Sequence, residues 1–137
     1  MNRRNFTKNC GKLCFSAMLG ATFLQSCQTI QRVPNVLKGN QLIVNKSDCG
    51  DAKIVIIETE KLPSSIYLNM SDEENYIALF MQCTHLQCDV IPSGNILHCP
   101  CHGSEFSSTG KVLESPATED LQQFKVTSDR EKIYISL

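Results

Sequence analysis

The sequence predicts an all-β fold: an antiparallel β-sandwich carrying a smaller insertion over residues 82–117. Two observations carry this. Short runs rich in Ile, Val, Leu and Tyr recur between turn-forming residues. No stretch beyond the first 26 residues sustains the 3.6-residue apolar period of an amphipathic helix. At 137 residues, less an N-terminal address, the chain suits one small domain.

Residues 1–26 read as that address. Arg3-Arg4, Phe6 and Lys8 resemble a twin-arginine export signal, and an apolar stretch over residues 13–24 follows. That stretch is shorter than the roughly 20 residues a membrane span needs and suits a signal-peptide core. Leu24-Gln25-Ser26-Cys27 resembles a bacterial lipobox, with Cys27 as the lipidated residue; an uncleaved signal anchor is the competing reading. Four of the 13 basic residues and none of the 14 acidic ones fall in residues 1–26. The remainder is therefore acidic, which argues against nucleic acid.

Residues 27–38, polar with Pro34, read as a tether. The domain then spans 39–137, with strands expected over residues 41–45, 53–58, 65–69 and 76–82. A short strand over 95–98 follows the Pro92-Ser93-Gly94 turn. Residues 121–127 and 132–137 form a hairpin across 128–131. Cys49 sits between Asp48 and Gly50 in an expected turn, as an exposed or half-buried thiol able to pair with another chain.

Two cysteine–histidine clusters carry the chemistry: C-T-H-L-Q-C from Cys83 to Cys88, and C-P-C-H-G-S-E-F from Cys99 to Phe106. Thiolate and imidazole suit iron or zinc, and two of each make a four-point site. A structural zinc-binding interaction module is the plain alternative.

The pattern Cys-x-His-x-x-Cys followed by Cys-x-Cys-His resembles the Rieske iron–sulfur family, and Leu86, Pro100, Gly103 and Ser104 fit its loops. The resemblance implies a Rieske-type sandwich with a cluster-binding subdomain and one [2Fe–2S] cluster. Cys83 and Cys99 would hold one iron, and His85 and His102 the other. It implies a disulfide between Cys88 and Cys101, and therefore an oxidising compartment. Ser104 matches a serine that donates a hydrogen bond to cluster sulfur, whereas Phe106 replaces the tyrosine of high-potential relatives. A midpoint below theirs follows. Gln87 and Ser115 stand where glycines are usual, and Pro116 belongs to a proline loop that covers the cluster. His98, beside Cys99, reads as structural.

The resemblance implies one-electron transfer in a membrane-associated bacterial redox chain, on the periplasmic or extracytoplasmic side. Such a protein resembles a quinol–cytochrome c reductase iron–sulfur protein or a subunit of another respiratory oxidoreductase. A quinol or membrane dehydrogenase would be the donor, and a cytochrome or other redox protein the acceptor. No catalytic acid or nucleophile constellation is present, so the chain is not read as catalytic alone. The alternative is a Rieske ferredoxin donating electrons to an oxygenase.

Overall fold

The computed structural model describes residues 30–72 and 75–137. In chain order the described elements are β1 (Gln31–Arg32), β2 (Val36–Lys38), β3 (Gln41–Asn45), α1 (Lys46–Cys49), β4 (Ile54–Ile57), β5 (Ile66–Asn69) and β6 (Ile77–Phe80). Then come β7 (Ile91–Ser93), β8 (Ile96–His98), β9 (Glu105–Ser107), β10 (Val112–Glu114), β11 (Gln123–Ser128) and β12 (Lys132–Ser136).

Eight strands form one curled sheet in the order β1-β4-β5-β6-β11-β12-β3-β2. Strand β11 joins its two halves. Gln123 and Phe124 pair with β6, and residues 125–128 pair with β12. The halves share one core, with Val55, Ile57, Ile66 and Leu68 from one and Leu42, Val44, Ile133 and Ile135 from the other. Burying each such side chain contributes about 1.5–3 kcal/mol.

The other face of β4–β6 is apolar too. Side chains alternate along a strand, and Ile56, Tyr67 and Leu79 join a second core with Leu97, Phe106, Ala117 and Leu121. This explains why every residue of β5 is buried. The insertion, a four-stranded sheet in the order β10-β9-β8-β7, thus packs its own apolar side chains against this face of the larger sheet. Gly110 keeps the two close: its φ is +86°, and an added Cβ would lie 2.8 Å from Leu79 Cδ2.

The all-β expectation matches this architecture, with differences of detail. The segment expected as a tether carries β1 and β2, and Val33 enters the core. β1 runs parallel to β4, whereas the other strand pairs are antiparallel. Strands β7, β9 and β10 have three residues each, too few to show a period in the sequence. Cys49 is neither exposed nor half-buried: it ends the single helical turn α1, faces the first core, and donates its thiol to the Asn45 carbonyl at 3.6 Å. Burial and then Asp48 push that thiol up. No helix among the described residues is long and apolar enough to cross a membrane. The export-signal residues and Cys27 lie outside the described residues.

Candidate metal centre

Three loops meet above the second core. Residues 81–90 connect β6 to β7, residues 99–104 connect β8 to β9, and residues 115–122 connect β10 to β11. The two cysteine–histidine clusters occupy the first and second.

Each loop closes on itself. In the first, the Cys83 amide donates to the Cys88 carbonyl at 2.7 Å and the Gln87 amide to the Cys83 carbonyl at 2.9 Å. Gln87 takes φ 61°, the left-handed conformation that a glycine adopts without strain. In the second, the Cys99 amide donates to the Ser104 carbonyl at 2.8 Å and the Gly103 amide to the Cys99 carbonyl at 3.0 Å. The Cys88–Cys101 disulfide cross-links the two loops, with Cα atoms 6.5 Å apart.

This folding separates sulfur from nitrogen. Cys83 and Cys99 are free thiols, each 1% exposed. Burial pushes the Cys99 thiol up, while the amides of Cys101 and His102, aimed at its sulfur, pull it down. His85 and His102 are exposed, and their rings meet edge to face with centroids 5.0 Å apart. Two buried soft donors and two surface imidazoles on the same pair of loops fit a two-iron centre that takes sulfur on one iron and nitrogen on the other. Sγ atoms of Cys88, Cys99 and Cys101 also lie within 4.8 Å of one another. Two of these form the disulfide, so that trio is not a ready thiolate set.

The third loop is pinned against the other two. Ser104 is fully buried, and its Oγ accepts the Ala117 amide at 2.9 Å. Thr84 Oγ1 donates to the Glu119 carbonyl at 2.7 Å. Asp120 accepts from Lys111 Nζ at 2.6 Å and from the Val112 amide at 2.9 Å. The Ser115–Pro116 peptide within the loop is cis. Thr84 and Asp120 were not singled out in the sequence; the Thr between Cys83 and His85 was a signal for the former. Phe106 is fully buried in the second core, and Leu86 is 60% exposed beside His85. His98 faces Glu105 across the β8–β9 pair, its Nδ1 3.6 Å from Oε1.

A family model, the Rieske [2Fe-2S] domain, matches residues 28–125. The cytochrome b6-f complex iron-sulfur subunit of Synechococcus elongatus is 30% identical over 105 residues, 72% of this chain and 58% of that one. The subunit of the same name from a Synechococcus sp. strain is 36% identical over 77 residues, 54% of this chain and 44% of that one. The chain spans about half the length of the curated relatives it matches. Among solved structures, the cyanobacterial plasma membrane Rieske protein from Synechocystis PCC 6803 superposes with a TM-score of 0.57 at 28% identity, over 69% of this chain and 99% of that one. A hyperthermophilic respiratory Complex III chain shares the fold, with a TM-score of 0.54 at 20% identity over 94% and 92% of the two chains. Paired loops, a cross-linking disulfide, and a family match across most of the described domain lead to one assignment: the chain belongs to the Rieske [2Fe-2S] domain family.

Proposed function

We propose that this chain is a one-electron carrier whose [2Fe–2S] cluster is held by Cys83 and Cys99 on the inner iron and by His85 and His102 on the outer one. The observation that carries the reading is the pair of exposed imidazoles, ring centroids 5.0 Å apart, on the same two disulfide-linked loops that carry two buried free thiols. The bound cluster supplies a one-electron couple, with potentials of roughly −150 to +300 mV for this ligand set.

The chain's own groups do the rest. Amide N–H groups of Cys101 and His102 aimed at Cys99 stabilise negative charge on its sulfur. Ser104 Oγ already accepts the Ala117 amide, which leaves its own proton to donate toward a cluster sulfur. The hydrocarbon floor of Leu97 and Phe106 keeps water from the sulfur side. His85 and His102 give the electron its surface exit, and their outer N–H groups can couple electron and proton uptake.

The route around it is a proposal of the same kind. A quinol or membrane dehydrogenase reduces the centre, and a cytochrome or other redox protein oxidises it. This draws on the relatives, which are iron-sulfur subunits of cytochrome b6-f complexes. Export, with a lipid anchor at Cys27, draws on the N-terminal motif. Cys27→Ser with acyl labelling and membrane fractionation tests the anchor, and loss of both label and membrane association is expected. A redox titration at several pH values tests the carrier: the expected midpoint falls in the range above and declines at alkaline pH. A low, pH-independent midpoint would favour an oxygenase donor.

A further inference from the structure

Three sulfur atoms, those of Cys88, Cys99 and Cys101, lie mutually within 4.8 Å. Cys88 and Cys101 are joined, and Cys99 is a free thiol. We infer that in the iron-free chain Cys99 exchanges with this disulfide, replacing Cys88–Cys101 by Cys88–Cys99 and releasing Cys101. The consequence for loading rests on the proposed ligand role of Cys99; the exchange itself does not.

The step balances without any outside oxidant or reductant. Cys99 loses its proton, which the exposed Cys101 sulfur takes up in the last step, and its sulfur attacks Cys88 Sγ. The Cys99–Cys88 bond forms as the Cys88–Cys101 bond breaks. Cys101 leaves with the electron pair and takes up that proton. One disulfide and one thiol stand on each side.

The surroundings choose the direction. Cys101 is exposed whereas Cys88 is half-buried, so the departing negative charge is hydrated best on Cys101. Attack at Cys88 also keeps the two loops cross-linked. Attack at Cys101 would close a ring across Pro100 alone and leave the loops untied. Iron bound to Cys99 removes the attacking electron pair, so the loaded chain keeps Cys88–Cys101.

The exchange makes cluster loss self-sealing. An empty site loses one of its two thiol donors to the disulfide, so refilling requires a reductant. Iron and sulfide must then be in place before the chain meets oxidising conditions.

The test is differential thiol labelling of the full-length protein. Cluster is stripped by a chelator under argon, and aliquots are quenched in acid over hours, since uncatalysed disulfide rearrangement takes minutes to about hours. Free thiols are alkylated in denaturant with one reagent. The rest are reduced and alkylated with a second, and peptide fragmentation assigns each cysteine. The expected result is that free-thiol label moves from Cys99 to Cys101, while Cys49 and Cys83 stay free and the loaded protein does not change. In Cys99→Ser, Cys101 should remain protected. Label fixed on Cys99 throughout would overturn the inference, as would release of Cys101 in Cys99→Ser or loss of free Cys49 through general scrambling. Iron content and spectrum of the starting protein are read separately. A chain that never holds iron contradicts the proposed function but not the exchange.

Discussion

The hydroxyl of Ser104, on the second loop, holds the amide of Ala117, on the third, at 2.9 Å, and both residues are buried. Ser104→Ala should therefore do two separable things. It orphans a buried amide, at a cost of about 1–3 kcal/mol. It also removes a hydroxyl donor from the sulfur side, which lowers the midpoint. Denaturant unfolding and a redox titration read the two effects, and an unchanged midpoint would show that the hydroxyl donates elsewhere.

Phe106 is fully buried beneath the same loops. Phe106→Tyr adds a donor near the sulfurs and should raise the midpoint by about 60 mV, the equivalent of a tenfold change in a one-electron equilibrium. A fall in midpoint together with lost stability would mean that the hydroxyl is not accommodated.

Gln87 holds φ 61° without being glycine. A side chain there costs about 1–2 kcal/mol of backbone strain, and the greater unfolded-state freedom of glycine offsets about 0.4–1 kcal/mol of any gain. Gln87→Gly should stabilise the chain by roughly 0.5–1 kcal/mol, measured by chemical denaturation, with the midpoint potential little changed. Destabilisation would mean that the Gln87 side chain contributes contacts worth more than the strain.

Lys111, then the Val112 amide, holds the Asp120 carboxyl below its ordinary 3.8. A carboxyl lowered on folding stabilises fully above that value and loses the effect as pH falls through its folded pKa. Asp120→Asn should be less stable than the parent at neutral pH, with the gap closing on acidification below about pH 4. A gap that stays constant with pH would assign the effect to hydrogen bonding rather than charge.

Much of this was readable in advance because the informative residues are chemically unusual. The Cys88–Cys101 cross-link followed from the resemblance to the Rieske family, and β3 and the β11–β12 hairpin from runs rich in Ile, Val, Leu and Tyr between turn residues. What escaped was set by tertiary contact. Ile66-Tyr67-Leu68 is apolar throughout, so nothing local showed that Tyr67 serves a second core. Val33 lies in a polar stretch, yet its amide reaches Ile56 and its side chain is buried. Cys49 looked like a turn residue because its burial depends on strands distant in sequence. Thr84 sits inside the first cysteine–histidine motif, but its partner Glu119, like the Lys111 partner of Asp120, is set by tertiary contact.

The most direct measurement is paramagnetic resonance of the reduced, purified chain, with nitrogen couplings resolved, in the parent and in His85→Ala and His102→Ala. One reducible iron–sulfur centre carrying imidazole nitrogen couplings, lost or altered when either histidine is removed, is the result required. A colourless zinc protein, or a spectrum indifferent to both substitutions, would contradict the assignment of two surface imidazoles to one iron.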